Sequence, residues 1–359
     1  MATVECHTAK MKDMWALRSI RPRAISAFAV FATISLLATS SVGGGGRHGR
    51  APAAAAVAAA VPAASIKVLL SIDWEGTSLN DDDLAAIHSF RERHPAIPFV
   101  QFLNAAYYTH GHPPAAVTEQ INRAIRLEDE IGLHLHGLKM LFEAAGVPYR
   151  SEPDFYLERA PVGLSVAEVG SSVAISHYDE RELGRVISFS KETLRRSGFP
   201  IPVSFRAGGW LANNTVIAAL VETGFVYDHS AVPAAVIGER APLVRLGGML
   251  EALWPNISTE SQPYRIYPQG RRFIFEIPNN SLTPVWLGID KLKACVDAAI
   301  ARSQAMGGEP KLVSVAIDQE HAAEGGIPPL DELLEYISVK GAGGVAVQYV
   351  TSESASLVQ

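Results

Sequence analysis

The sequence predicts an α/β fold, with a mostly parallel sheet wrapped by helices into a single (β/α) barrel. Strand and helix patterns alternate almost throughout, as parallel βαβ units require. The strand candidates are near-continuous apolar runs, the composition of strands covered on both faces. Several of these runs end in ionisable residues: Asp73 and Glu75, His134 and His136, Arg206, and Asp318. Barrel folds gather their chemistry at the C-terminal ends of the strands, so this coincidence is the strongest signal in the chain.

The elements follow in order. "SIKVLLSIDWEG" (65–76) is an apolar run closed by acids and a glycine, a buried strand. "NDDDLAAIHSFRERHP" (80–95) places acids in a first turn and a proline at the stop, which marks a helix. "IPFVQFLNAAYY" is the second strand, "PPAAVTEQINRAIRLEDE" the second helix and "EIGLHLHG" the third strand. "DERELGRVISFSKETLRRSGF" is a long amphipathic helix leading into the strand "PVSFRAGG". "NNTVIAALVETGF" and "KLKACVDAAIARSQAMG" read as helices, "RRFIFEIP" and "KLVSVAID" as strands, "PLDELLEYISV" as a helix and "GVAVQYV" as the last strand. The less regular stretches, Leu138 to His177 and Ala231 to Gln269, are expected as long loops over the same rim.

The start of the chain has another character. Arg18, Arg21 and Arg23 precede the apolar run "AISAFAVFATISLLATSSVG", so residues 1–42 read as a secretory signal peptide. A retained membrane anchor is the competing reading, which the many Ala, Ser and Thr of the run disfavour. Residues 43–65, Gly-rich and then almost only Ala, Pro and Val, are low-complexity linker. The globular region is expected at 66–359. It carries 24 basic and 35 acidic side chains, a formal −11, which argues against nucleic-acid binding. Cys6 lies in the leader, so Cys295 would be the one mature cysteine, read as helix packing.

The rim residues suggest chemistry. His134 and His136 stand at i, i+2, and in a strand these share a face. Asp73 and Glu75 repeat that spacing. Two carboxylates on one face repel unless a cation or a proton sits between them. Each pair alone also fits a solvated rim or a polar lining. Together they suggest two imidazoles and one carboxylate around a divalent metal, with a water completing the shell and the other carboxylate free to act as its base. Zinc suits such mixed donors, as do iron, cobalt and nickel. His110 and His112 share the spacing but sit in the loop "THGHPP", where exposure is the simpler reading. His88 and His94 belong on or after a surface helix, and His177 reads as a cap or as rim lining. Trp254, Tyr264 and Tyr267 could stack on a sugar, although core packing is the default.

With these residues in place the chain resembles the polysaccharide deacetylases, the metal-dependent carbohydrate esterases of the NodB homology type, as a divergent member spanning Ile66 to the last strand. The resemblance implies a distorted TIM-like barrel of the glycoside hydrolase/deacetylase type. It also implies a reaction, hydrolytic removal of acetyl groups, N-acetyl above all, from a polysaccharide. "SIDWEG" resembles the first motif and implies Asp73 as base and Glu75 as metal ligand. "EIGLHLHG" matches the second in its "EIG.H" part, which implies His134 as ligand; the motif's later histidine falls on Leu138, so His136 must substitute. "FRAGGW" resembles the third and implies that Arg206 orients the base and Trp210 lines the substrate groove. "GFVYDHS" supplies Asp228 for the fourth. "VAIDQEH" supplies His321 for the fifth, to protonate the leaving group, with Asp318 and Glu320 beside it. His229 has no role in this scheme. The expected partner is an acetylated glycan and the expected location is exported, with membrane contact only if the leader is retained. An amidohydrolase acting on a small amide or cyclic imide, and a catalytically silent carbohydrate-binding module, remain as rivals on the same barrel.

Overall fold

The computed structural model describes residues 63–109, 114–157, 170–238 and 244–358. The expected leader, most of the linker, and His110 and His112 lie outside the described residues. Among the described residues no helix is long and apolar enough to cross a membrane.

The first half of the barrel follows the sequence pattern. Strand β1 (Ser65–Asp73) is buried along almost its whole length. Helix α1 (Asp81–Arg93) is started by Asn80, whose side chain accepts from the amides of Asp82 and Asp83, with acids in its first turn and Arg91 and Arg93 in its last. Then come β2 (Phe99–Asn104), α2 (Pro114–Ala124) and β3 (Glu130–Leu135). Helix α3 (Lys139–Ala144) and an antiparallel hairpin of β4 (Asp154–Leu157) and β5 (Ser171–Val173) occupy what reads as the first long loop. Asp179 and Glu182 form a reciprocal capping box at the head of α4 (Glu180–Arg196). It is followed by β6 (Ser204–Ala207), α5 (Asn214–Glu222) and the two-residue β7 (Tyr227–Asp228). The second expected loop instead holds α6 (Ala234–Gly238), α7 (Val244–Leu253) and β8 (Tyr264–Ile266). The chain ends with β9 (Ile274–Glu276), α8 (Pro284–Leu287), α9 (Ile289–Ala305), β10 (Lys311–Asp318), α10 (Ile327–Ala342), β11 (Ala346–Tyr349) and α11 (Ser352–Ala355). The two loop expectations are thereby corrected. Short elements between Gly and Pro carry too few turns to show a period, and their shape is set by packing.

The main sheet runs β10-β1-β2-β3-β6-β7-β9-β8, parallel except for β8, and curls into a distorted half-barrel with helices outside. One edge of β1 is shared: β11 pairs its first half and β2 its second. Across the gap between β9 and β10, the Ser281 amide donates to the Ser314 carbonyl (3.0 Å) and the Ala316 amide to the Leu282 carbonyl (2.9 Å). The register aligns the ends that matter, with Asp73 beside Asp318 and His134 beside Arg206.

Most of the apolar core lies between sheet and helices. A smaller cluster fills the barrel, where Leu69, Val100, Phe102, Ile277 and Leu312 meet Val350, Ala355 and Val358 of the C-terminal segment. Ser352 fixes that segment, its amide and hydroxyl both donating to Glu130 (2.9 and 2.7 Å). Cys295 on α9 is partly buried, and burial pushes its thiol up.

A buried polar network ties α1 to the strands. Arg91 donates to the Ala124 and Ile97 carbonyls and, at 2.7 Å, to Asp129. Asp129 also accepts from the Phe99 and Arg126 amides and the Gln101 side chain. His88 belongs to this layer: it is buried, with its ring on the Gln120 carbonyl at 3.0 Å, not on an exposed helix face. Burial pushes the Asp129 carboxyl up against the pull of Arg91. The pair is therefore costly to split, since removing one partner strands the other's charge. Asp129→Ala is expected to lower unfolding stability by about 3–5 kcal/mol in urea titration, and a loss below about 1 kcal/mol, the scale of an exposed pair, would contradict the network's role.

Candidate active site

The strand ends build a triangle of donors. Glu75 lies two residues beyond the end of β1 and is followed by Gly76 at φ +80°; a Cβ on that glycine would lie 1.9 Å from Glu320 Oε1. His134 lies on β3 and His136 just past its end, with Leu135 between them. Glu75 Oε2 lies 3.4 Å from His134 Nε2 and 3.0 Å from His136 Nε2, and the two Nε2 atoms are 2.9 Å apart. Among the described residues this is the group of His, Cys, Asp and Glu side chains that could hold a metal ion. Metal–ligand bonds of ~2.0–2.2 Å in tetrahedral geometry separate ligand atoms by roughly 3.3–3.6 Å, so the triangle is close to the right size.

The outer partners fit the same purpose. His134 Nδ1 faces the Arg206 carbonyl at 3.1 Å and donates to it. His136 Nδ1 faces Ser172 Oγ at 2.5 Å, on the β4–β5 hairpin. With Nδ1 carrying the proton, each ring turns a lone pair on Nε2 inward, the arrangement metal-ligating histidines usually show. The first glycine of "GGW" is required here, since a Cβ on Gly208 would lie 2.4 Å from His136 Cδ2. Residue 138 plays no part in the triangle: Leu138 is buried in the apolar core and precedes α3.

Charge is arranged tightly around the triangle. Burial alone would push the Glu75 carboxyl up, but with the imidazoles protonated and no ion between them, the hydrogen bonds and charge of His134 and His136 outweigh it and hold the carboxyl well below its usual range. Arg206, fully buried, donates through Nη1 to Asp73 Oδ1 at 2.7 Å and Ser71 Oγ at 2.8 Å, and through Nε to the His229 carbonyl. Its guanidinium lies over the Phe102 ring at 4.5 Å. Asp318 is only 7% exposed, and burial followed by the charges of Glu75 and Asp73 drives its carboxyl well above the usual range.

One pocket gathers these groups. Asp73, Glu75, His134, His136, Asp318 and His321 line it together with Trp210. His321 arrives on the short turn Gln319–His321 directly after β10. Further walls come from Phe155 of the β4–β5 hairpin, Leu246 of α7, and Val285 and Trp286 of α8. The two tryptophans meet edge to face at 6.0 Å, and Trp254 donates through Nε1 to the Trp210 carbonyl from behind. Phe155, Leu246, Val285 and Trp286 escape a reading by sequence because they reach the rim only through tertiary folding. The dipeptide "VW" after a proline is the one local hint. Tyr264 and Tyr267 lie outside the pocket lining, and Tyr267 is exposed. His94 closes α1 and faces Asp331, while the cap of α4 is Asp179 and not His177.

Asp228 does not join this group. The residues flanking it turn inward: Tyr227 of β7 packs on the barrel's inner cluster, and the ring of His229, just past β7, meets Phe102 at 5.1 Å. Strand alternation turns Asp228 outward, in register with Phe205, whose ring packs on Phe225. Its carboxyl accepts from Ser230 Oγ at 2.6 Å and pairs with Glu276. A place for Asp228 at the reacting centre is therefore corrected by one residue of strand phase. His229 holds the inward position, with Nε2 donating to Ser352 Oγ at 2.9 Å. Burial, and then the Arg206 charge, hold its ring well below the usual imidazole range, so it is neutral.

No family model and no curated protein matches the chain. Among solved structures it is similar to Puue allantoinase, at TM-score 0.48 and 14% identity over 82% of this chain and 89% of that one. It is similar also to the Xyl-CE4 domain of a multidomain xylanase from the hindgut metagenome of Trinervitermes trinervoides, at 0.39 and 9% over 81% and 89%. A family 4 carbohydrate esterase from Streptomyces lividans follows at 0.36 and 9% over 82% and 97%. All three scores lie below 0.5.

The Asp228–Glu276 pair generates a pH test. Burial pushes Asp228 up to about 6, and burial plus the Asp228 charge push Glu276 well above its ordinary value, so the pair holds a proton that the unfolded chain would release. For a raised carboxyl the stabilisation is complete below the unfolded value and is lost as pH rises through the folded one. Thermal stability from this pair should therefore fall between about pH 4 and the folded titration near pH 6 and above. Glu276→Gln, whose amide can donate as the protonated acid does, is expected to flatten the fall in Tm between pH 4.5 and 8. An unchanged pH slope in that variant would contradict the shared proton.

Proposed function

We propose that the chain is a metal-dependent hydrolase that removes acetyl groups, N-acetyl above all, from a polysaccharide. The observation that carries this reading is the triangle of Glu75 Oε2, His134 Nε2 and His136 Nε2, with the His134 ring held from behind by the Arg206 carbonyl and with Asp73, paired to Arg206, in the same pocket. The sequence resemblance to polysaccharide deacetylases supports the acetyl assignment. The leader supports an exported location, and the negative surface disfavours a nucleic-acid partner.

Glu75, His134 and His136 would hold the ion, with zinc favoured and iron, cobalt or nickel compatible with the same donors. A divalent ion there supplies Lewis acidity and lowers the pKa of water to near 7. The chain's own groups do the rest. Asp73 accepts the proton of the attacking water, and Arg206 fixes which oxygen of Asp73 faces the pocket. His321, on the turn after β10, gives a proton to the departing amine. Trp210, Trp286 and Phe155 present flat apolar faces on which a sugar ring stacks and from which bulk water is displaced. Asp318 holds its carboxyl beside Asp73 across the β1–β10 register and is a further group within reach of substrate.

The test is metal analysis of purified protein combined with acetate release from acetylated glycans. The expected result is one divalent ion per chain and acetate release that falls about 10²–10⁴-fold in Asp73→Asn while metal content is retained. Bound metal without acetate release would redirect the reading to a small amide or cyclic imide. Tight glycan binding without metal would identify a silent carbohydrate-binding barrel.

A further inference from the structure

The backbone that carries Glu75 is held from one side by β2 and the turn that follows it. Trp74 Nε1 donates to Gln101 Oε1 at 2.9 Å, Asn104 Nδ2 donates to the Gly76 carbonyl at 2.9 Å, and the Tyr107 hydroxyl donates to the Glu75 carbonyl. Tyr107 is 1% exposed, and its turn Ala105–Tyr108 is capped by Asn104, whose Oδ1 accepts from the Ala106 amide at 2.9 Å.

The same hydroxyl reaches further. Gln319 Oε1 lies 3.2 Å from Tyr107 Oη, and Gln319 opens the turn that brings His321 to the pocket. β1 stands between β10 and β2 in the sheet, so Tyr107 crosses above the end of β1 to meet the β10 side. A hydroxyl has one proton, and that proton is engaged by the Glu75 carbonyl. Gln319 Nε2 is fully buried and makes no hydrogen bond in this orientation of the amide. Turning the amide over lets Nε2 donate to Tyr107 Oη, which gives a continuous chain from Gln319 through Tyr107 to the Glu75 carbonyl.

We propose that Tyr107 is a positioning residue that joins the Glu75 loop to the His321 turn and so sets the spacing between the ion-holding triangle and the leaving-group side of the pocket. This inference rests on the metal-site reading above. Tyr107 does not line the pocket, so it acts through Glu75 and Gln319 and not on substrate.

The experiment compares the full chain with Tyr107→Phe, which keeps the ring, and with Gln319→Met, which keeps the bulk. Zinc affinity is read by competition with a chromogenic chelator, and kcat and KM by acetate release. Tyr107→Phe is expected to weaken zinc binding about 10-fold, as loss of an outer partner does. It should also lower kcat with KM within twofold. Gln319→Met is expected to lower kcat with zinc affinity within twofold, because it frees only the His321 side. Wild-type zinc binding with Tyr107→Phe unchanged in affinity and kcat overturns this inference alone. A wild-type chain that binds no zinc overturns the metal-site reading and this inference with it.

Discussion

Three polar atoms, one from a carboxylate and two from imidazoles, are held within 3.4 Å of one another at the mouth of a curled sheet. Such a cluster needs a shared proton or a cation to be stable, and much of the rim is arranged around that need. The Arg206 carbonyl and Ser172 fix which nitrogen of each ring faces inward. Gly208 leaves room for the His136 ring. Gln101, Asn104 and Tyr107 hold the loop that carries Glu75, and Gln101 continues into the buried Asp129–Arg91 pair. The barrel wall is thus connected to the helical layer by polar contacts at the point where the chemistry is placed.

Charge balance gives the same reading. Asp73 is paired with Arg206, and Glu75 with the two imidazoles. Asp318 on β10 lies beside both acids, and burial and their repulsion push its carboxyl well above the usual range. A divalent cation between Glu75 and the histidines would relieve that repulsion and leave Asp73 beside it with its guanidinium partner. The aromatic walls keep the dielectric low, which strengthens each of these interactions.

Much of this was legible from residues alone. The alternation of apolar strands and amphipathic helices specifies the half-barrel, and the i, i+2 spacing of "DWE" and "HLH" places four ionisable groups on inward faces. Arg206 is marked by sitting between Phe205 and the glycine pair at a strand end. Other parts were not legible. Asp228 matches a motif by letter, but the phase of a two-residue strand decides which face it occupies, and phase is set by packing. Phe155, Trp286 and Leu246 come from short elements whose positions depend on distant contacts. Tyr107 lies in an unremarkable "AAYY", and its importance appears only when strand order carries it over β1.

Anomalous diffraction at the zinc edge from a crystal of the full chain soaked in zinc chloride tests the central claim most directly. The account predicts a peak at ~2.0–2.2 Å from Glu75 Oε2, His134 Nε2 and His136 Nε2, with Asp73 and Arg206 still paired beside it. Density for the three side chains with no peak between them, or a peak held by other residues, would contradict it.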